Sequence, residues 1–161
     1  MSAAPRVVVI AVGNPMRRDD GAGMAVLARA RPSLPEGVRA LSCGGDLTDL
    51  LDLWSEADVA VLVDAARWRG CVPGEVTWVD DAGRGADRLS GRSAGLDTHG
   101  IGVAEMIRLA RTLERLPARV DLLALAAGDD AQGEGLSPAV ESAVGPAADL
   151  LVTRLRALAE A

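Results

Sequence analysis

The 161-residue sequence predicts an α/β fold of the doubly wound class, a sheet buried on both faces by helices. Three observations carry that prediction. Short apolar runs of strand length alternate along the chain with segments of helical periodicity. The runs are continuous in apolarity instead of alternating, as strands covered on both faces must be. Gly, Pro and Asp punctuate each join.

The elements follow in order. Residues 6–12 (RVVVIAV) read as the first strand, and GMAVLARARP places Met24, Leu27, Ala28 and Ala30 at helical spacing before Pro32 stops the helix. Val38–Cys43 is a second short strand, after which Asp46 is a good N-cap for a helix through Leu47, Leu50, Leu51 and Trp54. Residues 58–66 (DVAVLVDAA) form a third strand, and the alternating GEVTWVD at 74–80 reads as an edge strand. A polar Gly/Arg-rich loop at 81–96 precedes a helix over Val103–Leu116, ended by Pro117. Residues 119–127 are the last strand. Ser137 then caps a long helix running to about Leu158, with Pro138 at its first position and Glu141 near enough to join the cap. One domain over residues 1–161 accommodates all of this.

Composition narrows the function. Apolar residues make up 49% and charged residues 25%, and the aromatics are three tryptophans, so the core is expected to be aliphatic. A net charge of −6 with scattered arginines gives polyanions nothing to hold, which argues against nucleic acid or an anionic membrane as partner. The apolar amino-terminal run is too short to span a membrane and lacks a signal-cleavage pattern, so a cytoplasmic protein is expected. Its two cysteines, Cys43 and Cys71, are then free thiols. Cys43 reads as a small buried apolar side chain, since no basic partner is in view.

In doubly wound sheets ligands bind outside the carboxyl ends of the strands. The acidic residues collect there: Asp19 and Asp20 after strand one, Asp46 after strand two, Asp64 ending strand three, Asp129 and Asp130 after the last. The loop GNPMRRDDGAG is neither a dinucleotide fingerprint nor a phosphate-binding loop, and two carboxylates at the following helix would repel phosphate. Capping explains one aspartate of the doublet well and the pair only in part. Asp64 taken alone fits a strand-end turn. His99, the one histidine, sits in LDTHGIG, where glycines let the backbone turn its imidazole toward a cleft. Two carboxylates and an imidazole would also make an O/O/N set for a divalent transition metal with open positions.

The segments VGNPMRRDDGAG, CGGD, VLVDAA, THGIGVAEMI and GEGLSPAV, in this order and spacing, resemble the hydrogenase maturation endopeptidases. The likeness spans about residues 7–155 and implies a three-layer α/β fold, a twisted, five-stranded, mostly parallel sheet with helices on both faces. The resemblance implies an endopeptidase that removes the carboxy-terminal tail of a nickel–iron hydrogenase large-subunit precursor after nickel insertion. It further implies that Asp20, Asp64 and His99 form the catalytic, metal-facing set, with Asp19 as the helix cap. The nickel would be carried by the precursor, with no tightly held metal of the enzyme's own, and the enzyme would act as a monomer. The chain departs from the family where LAAGDDAQGEGLSP replaces an apolar-Glu/Gln-Pro stretch and where Cys43 stands in place of a common aspartate.

For the chemistry three routes are open: nickel polarising the scissile carbonyl, nickel delivering hydroxide, or a carboxylate acting as general base. Two other function classes compete. One is a metal-sensing, chaperone-like module that docks on the precursor without cutting. The other is a small α/β peptide or amide hydrolase, weakened by the absence of a G-x-S-x-G elbow.

Overall fold

The computed structural model describes residues 3–83, 102–129 and 133–161. Five strands form one sheet: β1 (Val7–Val12), β2 (Arg39–Cys43), β3 (Val59–Ala66), β4 (Val76–Val79) and β5 (Arg119–Ala126). Their spatial order is β2-β1-β3-β5-β4, parallel except for β4, which runs antiparallel to β5. The central strands β1 and β3 are buried along their whole length, and β5 is buried from Val120 onward. That is the two-sided coverage their continuous Val/Leu/Ala runs require.

Helices α1 (Ala22–Ala30), α2 (Leu50–Leu53), α3 (Val103–Thr112) and α4 (Pro138–Glu160) pack around this sheet. From β1 the chain moves one way across the sheet through α1 to β2, then back the other way through α2 to β3. Right-handed crossovers therefore put α1 and α2 on opposite faces. The long α4 packs beside α1, while the indole of the buried Trp54, just after α2, donates to the carbonyl of Arg115 beyond α3 at 2.9 Å. The core is aliphatic, with Trp54 its one fully buried aromatic ring among the described residues.

Two local readings need adjustment. The helix after Asp46 begins as a 3-10 turn over Leu47–Asp49, capped by the Asp46 carboxylate accepting from the Thr48 amide at 2.9 Å, before the single turn of α2. Helix α3 ends at Thr112 instead of Leu116. Glu114 turns into the left-handed region with φ 57°, and the Arg115 amide bonds back to the Ala110 carbonyl. The bond from Trp54 and a second from the Arg115 guanidinium to the Leu51 carbonyl hold the chain in that turn.

The start of α1 lies directly on the carboxyl ends of the central strands. A Cβ at Gly23 would stand 2.3 Å from the Val63 carbonyl oxygen and 3.0 Å from that of Val12. Both are backbone atoms of the buried sheet and cannot yield cheaply. In a helix exposed to solvent, Gly→Ala gains up to about 1 kcal/mol. Here overpacking of about 3 kcal/mol reverses the sign. Gly23→Ala is predicted to lower stability by about 2 kcal/mol in urea unfolding, with an unchanged denaturant slope; a rise in stability would show that α1 does not seat on β1 and β3 in this way.

Candidate active site at the carboxyl edge of the sheet

The direction of the chain reverses between β1 and β3, so the topological switch lies at their carboxyl ends. Parallel register aligns Cys43 with Val12 across β2 and β1, Ala11 with Val63 across β1 and β3, and Asp64 with Ala124 across β3 and β5. Cys43, Val12 and Asp64 thus form one transverse row whose side chains share a face. The outer two are separated by two strand spacings, about 10 Å. Asp64 is buried to 8% exposure at this row.

Asp20 reaches the same edge from the loop after β1. Gly13 leaves the strand with φ 136°, a conformation open to glycine, and a Cβ there would fall 2.0 Å from the Asp20 carbonyl oxygen. The absent side chain lets the loop fold back so that the Asp20 carboxylate accepts from the Asn14 amide at 3.0 Å, while the Asp20 amide donates to the Arg17 carbonyl at 3.0 Å. Two of the three expected site residues, Asp20 and Asp64, therefore stand at the carboxyl ends of adjacent strands. His99 lies outside the described residues, as does Asp130. Among the described residues, no three His, Cys, Asp or Glu side chains come together as a metal-holding group. The donors that Asp20 and Asp64 bring are hard carboxylate oxygens, and an imidazole beside them would complete a set suited to a divalent transition ion.

The expected helix cap is not one. Asp19 is fully buried, and its carboxylate makes no bond to the 3-10 turn Arg18–Gly21 or to α1. It accepts instead from four donors beyond β5: the amides of Gly128 at 2.8 Å, Asp129 at 2.7 Å and Ser137 at 2.7 Å, and the Ser137 hydroxyl at 2.7 Å. Ser137 does stand at the N-cap of α4 with Pro138 following, but its hydroxyl serves Asp19, not the free amides of its own helix. Backbone bonds extend the tie: Asp19 amide to Asp129 carbonyl, Arg18 amide to Gly133 carbonyl, and Gly133 amide to Met16 carbonyl. An ion pair of 3.1 Å between Arg18 Nε and Asp129 Oδ2 lies alongside. Since β1 and β5 flank β3, the two joined loops span the carboxyl end of β3. Residue-by-residue reading missed this partnership, whose one sequence signal is a second aspartate that capping leaves unexplained.

Burial pushes the Asp19 carboxyl up, but the bonds from Ser137, Gly128 and Asp129 outweigh it and hold the group below the ordinary carboxylate range. At Cys43 burial dominates, aided by the carboxylates of Asp49, Asp46 and Asp64, and pushes the thiol up to about 11. Its Sγ donates to the Asp46 carbonyl at 3.4 Å. A protonated, buried thiol is a poor nucleophile.

The family model for hydrogenase maturation proteases, HycI, matches residues 27–154. The fold is similar to that of the hydrogenase maturating endopeptidase HybD from E. coli, at 23% identity and a TM-score of 0.78 over 94% of this chain and 92% of that one. The [NiFe] hydrogenase maturation protease HybD from Thermococcus kodakarensis aligns at 26% identity and a TM-score of 0.74, covering 93% and 99%. A hydrogenase 2 maturation peptidase from a Thaumarchaeota archaeon aligns at 30% identity and a TM-score of 0.67, covering 93% and 97%. Comparison with curated proteins gives no match.

Two predictions follow from the charges. A carboxyl held below its unfolded value stabilises fully above that value, near pH 4, and loses its contribution as pH falls through the folded one. Asp19→Ala, which leaves three amides and a hydroxyl without an acceptor, is expected to cost about 3 kcal/mol at pH 7, and the gap from wild type should narrow below pH 4. A gap independent of pH in chemical unfolding would contradict an ionised Asp19. In a Cys71→Ser background, Cys43 should alkylate at pH 8 on the order of a hundredfold more slowly than a free cysteine, and at the ordinary rate once the chain is unfolded. Rapid labelling of the folded protein would reopen a thiol mechanism.

Proposed function

The chain belongs to the hydrogenase maturation protease family, and from that premise we propose that it removes the carboxy-terminal tail of a nickel–iron hydrogenase large-subunit precursor once nickel is in place. The observation that carries this reading is the placement of Asp20 and Asp64 at the carboxyl ends of adjacent strands, β1 and β3, where the fold puts its ligand crevice. In this reading the nickel is part of the substrate, held by the precursor's own cysteines. Asp20, Asp64 and His99 fill positions that those cysteines leave open, so that a precursor without nickel offers the site nothing to bind. The enzyme works as a single-domain monomer in the cytoplasm.

Cleavage adds water across the scissile amide: oxygen bonds to the carbonyl carbon, the C–N bond breaks, and the products are a new carboxylate on the precursor and an amine on the tail. In this reading Asp20, partly open to solvent, takes the proton from the attacking water, and nickel on the substrate serves mainly to position the scissile bond. The high Cys43 pKa, about 11, supports a route without a thiol nucleophile.

No helix among the described residues is long and apolar enough to cross a membrane. The test uses purified protein and its cognate precursor in solution, with and without nickel, following tail release by mass spectrometry. Cutting at one bond is expected with the nickel-loaded precursor alone. Asp20→Asn and Asp64→Asn should each lower the rate at least about 100-fold in a folded protein. Equal cutting of the nickel-free precursor would favour a general peptide hydrolase, and binding without cutting would favour a docking module.

A further inference from the structure

We infer that Asp19 is a positioning residue for the site: bonded to Gly128, Asp129 and Ser137, its buried carboxylate sets where Asp20 stands relative to Asp64 by tying the loop after β1 to the loop after β5 across the end of β3. The inference rests on the reading that Asp20 and Asp64 act on a nickel-loaded precursor.

Asp20 has little freedom of its own. Its amide is bonded to the Arg17 carbonyl, its carboxylate to the Asn14 amide, and its carbonyl lies against the α-carbon of Gly13. Its position therefore follows that of residues 17–19, one peptide unit away, about 3.8 Å between α-carbons. Those residues in turn are fastened to the far side of β3 through Arg18, Asp19 and their partners. Asp64 belongs to the strand that the fastening spans. A fully buried carboxylate with four donors at 2.7–2.8 Å is held rigidly, and a shift of about 1 Å in a reacting group is enough to cost on the order of 100-fold in rate.

Ser137 gives a way to loosen this fastening from a distance. It stands 118 residues from Asp19 in the chain, and its hydroxyl contributes one of the four bonds. Ser137→Ala removes that bond and leaves the backbone donors and residues 18–20 untouched. Ser137→Thr keeps a hydroxyl at the same position. Asp19→Asn is the harsher change, since its amide nitrogen would be a donor facing donors.

The experiment measures kcat and KM for tail release from the nickel-loaded precursor, together with amide hydrogen exchange of Asn14, which reports the bond to the Asp20 carboxylate. Ser137→Ala is expected to lower kcat about fivefold with KM within about twofold, and to speed Asn14 exchange at least about tenfold while the amides of β1 and β3 stay protected. Ser137→Thr should restore both, and Asp19→Asn should lower kcat by about 100-fold or more. If Ser137→Ala keeps wild-type kcat and wild-type Asn14 protection and loses only thermal stability, Asp19 is purely structural and the inference is overturned. Should Asp19→Asn fail to fold, the Ser137 pair decides. If the wild-type protein leaves the precursor uncut, the functional reading falls, and Asn14 exchange in Ser137→Ala alone decides the positioning role.

Discussion

Removing a carboxylate from water costs several kcal/mol, and a protein keeps such a group charged in its interior only where enough donors converge on it. Asp19 meets that condition with three amides and one hydroxyl, all supplied by residues more than 100 positions away. The requirement runs in both directions. Without Asp19, the amides of Gly128, Asp129 and Ser137 would be left facing an empty acceptor position; without the β5–α4 connection, the charge could not stay buried. The loop after β1, the loop after β5 and the first turn of α4 are therefore one unit, and the candidate site is built on it.

The sheet supplies the other half of the arrangement. Two crossovers in opposite directions put the topological switch at the ends of β1 and β3, and the close seating of Gly23 on the Val12 and Val63 carbonyls brings α1, and the loop before it, down onto that edge. Cys43 shares the transverse row with Asp64 but is protonated, buried and bonded to a carbonyl. The position where the family resemblance led to the expectation of an aspartate thus holds an uncharged side chain here. This leaves less negative charge on the row than a second carboxylate would bring.

Much of this was legible in the residues. The largely apolar runs at 6–12, 58–66 and 119–127 located the buried strands, because a strand covered on both faces keeps a polar side chain only where partners meet it, as Arg119 meets the buried Asp121. GEVTWVD announced its edge position through alternation, and Asp46 its capping role through its place before a helical pattern. Asp20 and Asp64 drew notice by their positions after and near the ends of strands, and the family resemblance set them apart from the other carboxylates there. The reading of Asp19 as a cap failed because an aspartate before a helix satisfies the capping pattern whatever its carboxylate does. The end of α3 was misplaced for a related reason: Pro117 sets a limit on the helix, while the contacts of Trp54 and Arg115 end it five residues sooner.

The sequence by itself determined which segments are strands and helices, that the core is aliphatic, and at which edge of the sheet the carboxylates collect. Those properties depend on periodicity and on the polarity of near neighbours, which are local. Only the tertiary structure decided the strand order β2-β1-β3-β5-β4, the antiparallel course of β4, and the separate fates of two adjacent aspartates. Asp19 and Asp20 are chemically the same and one residue apart. One is turned inward to donors from the far end of the chain and the other accepts from the Asn14 amide of its own loop, and hydrogen-bond donors gathered from distant segments exist only once the chain has folded.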